Sequence, residues 1–238
     1  MSEGGRRVAV ITGGSQGIGA GLVDGYRRLG WAVVASARTM KPVADPDIVI
    51  VEGDITEPAT AQRIIDAALE RFGQVDTLVN NAGVYLSKPF TEYTAADYEL
   101  VTGVNLTGFF WLTQLVIAQM LRRQRGHVVN VSATIAERAD SATPAVLTAL
   151  TKGGLAAATR SLAVEYASRG IRVNAVSPGI IQTPAHPADS YAGLGDRLPP
   201  LGRVGQVGDV VGAVLSLESA PYITGEILHV DGGQVAGH

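Results

Sequence analysis

The sequence predicts an α/β fold, a doubly wound parallel sheet of about seven strands forming one domain over residues 1–238. Three observations carry this. Short Val/Ile-rich runs alternate with helical patterns from end to end. The runs are nearly continuously apolar, as strands buried on both faces must be. The first run leads into a glycine-rich turn and then a helix.

In order, strands are expected at residues 7–12, 32–36, 48–52, 77–80, 127–132, 171–177 and 226–230, with helices at 17–29, 59–72, 95–123, 144–168 and 207–217. The helix at 95–123 contains Gly103-Val104-Asn105-Leu106-Thr107-Gly108, a poor interior for a regular helix, so a local bend is expected there. The helix at 144–168 should start with Thr143 as N-cap and Pro144 in its first turn. Residues 178–205 form the only long irregular segment, expected to be a lid over a site rather than a domain boundary. No linker, repeat or low-complexity tract divides the chain.

Composition excludes several classes. The 238 residues are 46% hydrophobic and 17% charged, enough for a substantial core, and the net charge of -3 with scattered Lys and Arg offers nothing to nucleic acid or an anionic membrane. A cytoplasmic protein is expected, with no signal segment and no apolar run of bilayer length. With no Cys, disulfides and thiolate chemistry are excluded, and His127, His186, His229 and His238 show no metal-ligand spacing.

The turn after the first strand reads Thr12-Gly13-Gly14-Ser15-Gln16-Gly17-Ile18-Gly19. Such glycines let a backbone approach a pyrophosphate closely, while the helix that follows offers free N–H groups and the positive end of its dipole. The spacing TGxxxGxG, together with Asn80-Asn81-Ala82-Gly83 closing the fourth strand, resembles the short-chain dehydrogenase/reductase family. The resemblance runs along nearly the whole chain, adding Asp54, Asn105, Lys152, Pro178-Gly179 with Thr183, and Val230-Asp231-Gly232-Gly233. It implies a Rossmann-like domain with a dinucleotide at the carboxyl ends of the strands and a homo-oligomer, tetramer or dimer.

By this resemblance Gly13, Ser15, Gln16, Gly17, Ile18 and Gly19 hold the pyrophosphate side, Asp54 and Ile55 meet the adenine, and Asn81, Ala82 and Gly83 meet the adenine-side ribose. Pro178, Gly179, Ile181 and Thr183 hold the nicotinamide carboxamide. At the end of the second strand, where an acid would accept from a ribose 2′-hydroxyl, the chain has Ala37 followed by Arg38. A guanidinium suits a 2′-phosphate, so NADPH is the expected cofactor.

The family's Asn, Ser, Tyr and Lys cooperate in moving a proton to the substrate oxygen while hydride passes to or from the nicotinamide. Asn105 and Lys152 fill two of these positions. Thr148 stands where Tyr is expected, four residues before Lys152 on the same helical face, and Ala133 aligns with the Ser. Ser132 would need a bulge to reach the site, and Thr134 presents a hydroxyl from the strand end. An aliphatic hydroxyl is a poor proton source, so other groups are weighed as acids: Tyr85, Glu137, Arg138, Asp140, His186 and Tyr191. The reading is an atypical reductase of a small carbonyl compound, polarised and cyclic or hydroxylated. The alternatives are a nucleotide-binding pseudoenzyme and a non-redox lyase or isomerase.

Overall fold

The computed structural model describes residues 6–184 and 199–237. Seven parallel strands form the central sheet: β1 (Val8–Thr12), β2 (Ala32–Ala37), β3 (Ile48–Glu52), β4 (Thr77–Asn80), β5 (Gly126–Val131), β6 (Ile171–Pro178) and β9 (Ile227–Val230). Their order is β3-β2-β1-β4-β5-β6-β9. The chain therefore winds outward from β1 on one side, then returns to β4 on the other. Neighbouring crossovers diverge at that reversal and leave a crevice above the carboxyl ends of β1 and β4, the natural ligand position in such sheets.

Helices cover both faces. On one side α1 (Gly17–Arg28) and α6 (Val207–Ser219) pack over a core that includes Ile11, Leu22, Tyr26, Val33, Val210 and Val214. On the other, α2 (Pro58–Phe72) and α4 (Gly108–Arg123) pack over Val10, Val34, Ile64, Leu78, Leu112 and Met120. Alternate strand residues feed opposite cores, which is why these strands carry no polar stripe. Each fully buried Val, Ile or Leu side chain contributes ~1.5–3 kcal/mol.

Local signals set several ends. Pro58 opens α2 and Gly73, at φ 76°, closes it in the left-handed conformation. Thr94 and Asp97 form a reciprocal capping box at the start of α3 (Ala95–Thr102). Between α3 and α4, Gly103–Thr107 forms a π-helical turn, the bend that the sequence predicts around Asn105. The stretch Ala95–Arg123 is long and apolar enough to span a bilayer by length and composition, which the sequence reading overlooked. Here it lies against α2 and the sheet, burying Leu112, Val116, Ile117 and Met120.

Two expectations are corrected. Helix α5 (Val146–Tyr166) begins after Ala145, without a side-chain cap, rather than at Thr143 and Pro144. The Pro144 carbonyl is used elsewhere, accepting from the Lys88 N–H and the Ser87 hydroxyl, each at 2.9 Å. The segment expected to be irregular contains a small parallel ladder of β7 (Ile181–Gln182) and β8 (Gly205–Gln206). Residues 185–198, with His186 and Tyr191 of the expected lid, lie outside the described residues.

Candidate active site

A cleft of ≈ 1160 Å³ lies at the carboxyl ends of β1, β2 and β4. Of the residues singled out in the sequence, Gly13, Ser15, Gln16, Gly17, Ile18, Gly19, Arg38, Asp54, Ile55, Asn81, Ala82, Gly83 and Thr183 all line it. Its glycines are sterically required. Gly13 sits at φ 68°, and a Cβ on Gly19 would fall 2.0 Å from the Gly13 carbonyl oxygen. The turn is braced from β4: the Asn81 amide donates to the Thr12 carbonyl at 2.9 Å, while the Thr12 hydroxyl accepts from the Asn81 and Ala82 N–H groups, both at 3.0 Å.

This geometry leaves room for a phosphate chain against bare backbone at the start of α1, so the residues present fit a dinucleotide. At the far end of the cleft the Arg38 guanidinium is exposed and, among the described residues, has neither a hydrogen-bond nor an ion-pair partner. Lys41 lines the same end and is likewise exposed. Sequence reasoning missed Lys41, which lies past the strand end in a Pro-containing loop that no spacing rule addresses. That loop is held by the Glu52 carboxylate, which accepts from the Met40 N–H at 2.7 Å. Asp54 also serves its turn, accepting from the Thr56 N–H at 2.9 Å.

Pro178, Gly179 and Ile181 do not line this cleft. Pro178 ends β6, the Gly179 N–H donates to the Val230 carbonyl at 3.1 Å, and Ile181 is buried in β7. Of the nicotinamide-side set, Thr183 alone reaches the cleft, beside Gly17.

Helix α5 turns Leu147, Thr148, Thr151, Lys152, Leu155 and Ala156 inward at helical spacing. Lys152 lies behind Gly83 on the cleft wall: a Cβ at Gly83 would stand 3.0 Å from its Nζ. Its ammonium donates to the Val131 carbonyl at 2.7 Å, and burial pulls its pKa down from 10.5 to about 8. Asn105, at 1% exposure, accepts from the Val84 N–H at 2.9 Å and donates to the Val84 carbonyl and the Thr151 hydroxyl, each at 3.0 Å.

The hydroxyls near the family's catalytic positions are committed to backbone. Thr148, 2% exposed, accepts from the Leu86 N–H at 3.1 Å and donates to the Leu86 carbonyl at 3.3 Å. Ser132 donates to the Lys152 carbonyl at 3.1 Å. The Thr148 hydroxyl thus holds the Leu86 backbone on the loop that leaves the cleft wall. Thr134 reaches the Gln234 amide oxygen at 3.5 Å. Glu137 pairs with His229 at 3.0 Å and Arg138 donates to the Gln234 carbonyl at 2.7 Å, so both tie the loop before α5 to the C-terminal segment. Tyr85 is half exposed.

Comparison with known proteins agrees with this geometry. The family model described as "Enoyl-(Acyl carrier protein) reductase" matches residues 13–234. The chain is 38% identical over 244 residues to "Granaticin polyketide synthase putative ketoacyl reductase 2" of Streptomyces violaceoruber, with 95% of each chain covered. Among solved structures, ElxO with NADP bound superposes at a TM-score of 0.88 and 27% identity, covering 98% of this chain and 100% of that one. A 3-ketoacyl-(acyl-carrier-protein) reductase from Brucella melitensis complexed with NADH also reaches 0.88 at 29% identity, covering 96% and 98%. With sequence match, strand order and glycine cradle in agreement, the chain belongs to the short-chain dehydrogenase/reductase family.

Proposed function

We propose that this protein is an NADPH-dependent reductase of a polarised, cyclic or hydroxylated ketone that works without a Tyr acid on α5. The observation that carries the reading is the Arg38 guanidinium, without a partner among the described residues and set on the same cleft as the Gly13–Gly19 cradle. Similar structures are described with NADP in one case and NADH in the other, so the preference for the phosphorylated cofactor rests on Arg38, with Lys41 beside it. Two of the similar proteins are named for ketoacyl reduction, which supports a carbonyl substrate.

The bound cofactor supplies hydride. Gly13 to Gly19 would hold its pyrophosphate and Lys152, behind Gly83, would hold the nicotinamide ribose, while Asn105 shapes the wall through Val84. The Thr148 hydroxyl supplies no proton, being engaged at both ends by Leu86. A substrate already polarised by its own hydroxyl replaces part of the lost assistance, which is worth about 10²–10⁴-fold in rate. Tyr85, half exposed, is a phenol that directly follows Val84 of the cleft wall. The reading carries with it a cytoplasmic homo-oligomer, as expected from the sequence.

The commitment of both Ser132 and Thr148 to backbone favours a second reading, a nucleotide-binding protein without turnover. Fluorescence titration with NADPH and NADH, followed by NADPH oxidation with simple and α-hydroxylated cyclic ketones, decides between them. Tighter NADPH binding with turnover of the hydroxylated ketones is the expected result. Equal affinity for the two cofactors would sink the NADPH assignment, and tight binding with no turnover of any ketone would favour the second reading.

A further inference from the structure

Residues 84–88 run along the start of α5 in a regular pattern. Val84 exchanges both backbone groups with the Asn105 amide, at 2.9 and 3.0 Å. Leu86 exchanges both of its own with the Thr148 hydroxyl, at 3.1 and 3.3 Å. Lys88 donates its N–H to the Pro144 carbonyl at 2.9 Å. Every second residue is thus tied down, as in one edge of a β-ladder whose partner rungs are two side chains and a carbonyl. The residues between them, Tyr85 and Ser87, are exposed, while Val84, Leu86 and Lys88 are partly buried. The strap leads directly out of the cleft wall, where Asn81, Ala82, Gly83 and Val84 line the space assigned above to the cofactor.

We propose that Thr148 is a positioning residue: its hydroxyl is the middle rung of this strap, and by fixing Leu86 it sets the cleft wall at Gly83 and Val84 and the stance of Tyr85 beside it. Three arguments support the assignment. The hydroxyl is used once as donor and once as acceptor on a single residue, which a Ser or Thr can do and a phenol four carbons farther out cannot. Thr148 is closed to water at 2% exposure, so loss of its hydroxyl leaves the Leu86 N–H without its partner, while the Leu86 carbonyl keeps only the Tyr93 hydroxyl at 3.1 Å. The flanking rungs come from different elements, the π turn and the approach to α5, so no one of them holds the strap alone. The position of a proton donor has thereby become a hinge pin for the wall.

The inference rests on the reading of the cleft as a dinucleotide site, and its test separates the two. Amide exchange at Leu86 is measured by NMR in the wild type, in Thr148→Val, which keeps the shape and loses the hydroxyl, and in Thr148→Ser, which restores it. Circular dichroism melts confirm that each variant is folded. The expected result is exchange at Leu86 about tenfold faster in the valine variant and near wild type in the serine variant, from loss and return of about one to two buried hydrogen bonds. NADPH affinity should follow, weakened about three- to tenfold by valine and rescued by serine. For a ketone that is turned over, KM should rise more than kcat falls. Unchanged exchange at Leu86 in the valine variant, or a serine variant no better than valine, overturns the proposal. If the wild type binds no NADPH, the cofactor reading fails while the exchange data still decide the role of Thr148.

Discussion

The two ends of the sheet use polar groups in opposite ways. At the amino ends of the strands, one buried and one partly buried carboxylate are each engaged by several donors. Asp76 accepts from the Val8 N–H, Gln74, Arg123 and Arg125. Glu218, from the last turn of α6, accepts from Tyr26, Thr77 and His127. His127 in turn accepts from Asn174, whose amide is oriented by the Ile223 carbonyl and the Glu226 N–H. At the carboxyl ends the cleft shows backbone, glycine and exposed cations instead. A satisfied polar group can only stabilise, whereas an unsatisfied one retains affinity for something still to arrive.

Electrostatics mark the same contrast. Burial alone would raise the Glu218 pKa, but the hydrogen bond and charge of His127, aided by Thr77 and Tyr26, hold it below the ordinary value. Burial lowers the His127 pKa below 6.5, against the pull of Glu218, and raises that of Tyr26. At the other end Lys152 is depressed by burial, with no carboxylate paired to it among the described residues.

The contrast can be broken at either end. The largest effect is expected from Glu218→Ala, which strands three buried donors: a loss of roughly 3–5 kcal/mol in urea unfolding, with NADPH affinity of the folded protein changed less than about twofold. A comparable loss of cofactor affinity would mean that the two ends are coupled. Next comes Lys152→Met. Below pH 8 the wild type carries a desolvated cation, so this variant should unfold at higher urea by about 2 kcal/mol, after subtracting the lost bond to Val131. Between pH 8 and 10.5 the unfolded wild type binds a proton that the folded form lacks, so wild-type stability rises with pH and the gain fades. Cofactor binding by the variant should be weaker throughout, and a pH-independent stability difference would refute the buried-charge account.

Arg38→Ala should weaken NADPH by about 10- to 100-fold, the cost of a charge-assisted contact, and leave NADH nearly unchanged. Loss of both cofactors equally would instead assign Arg38 to the shape of the cleft. The smallest effect is expected from Thr148→Tyr with Ala133→Ser. The pair restores a phenol four residues before Lys152 but removes the Leu86 rung, so any gain on simple ketones, measured as NADPH oxidation, should stay under about tenfold. A larger gain would show that the strap holds without Thr148.

Much of this was legible in the sequence. Val/Ile runs gave the strands because a sheet covered on both faces admits little else, and the glycine spacing located the cradle because backbone proximity leaves no side-chain alternative. Asn105 and Lys152 were singled out by the family's pattern, and the structure buries both beside Gly83 and Val84. What escaped was long-range. The Thr148 hydroxyl is spent on Leu86, 62 positions away, and Tyr26 meets Glu218 across 192. The start of α5 moved because a carbonyl was taken by Lys88, a partner that local capping rules do not include.

The π turn at Gly103–Thr107 sets the rotational phase between two helices. A turn closed five residues apart holds one more residue than an α-turn, so the helix before it and the helix after it are out of phase by about 100°. Removing one residue would mend the hydrogen-bond ladder, yet it would rotate Leu112 and Val116 off the sheet or swing Asn105 away from Val84. Each half fits its own neighbours, so a deletion at this one turn is felt along the whole of the following helix. The extra residue holds in place the widened turn from which Asn105 reaches the wall.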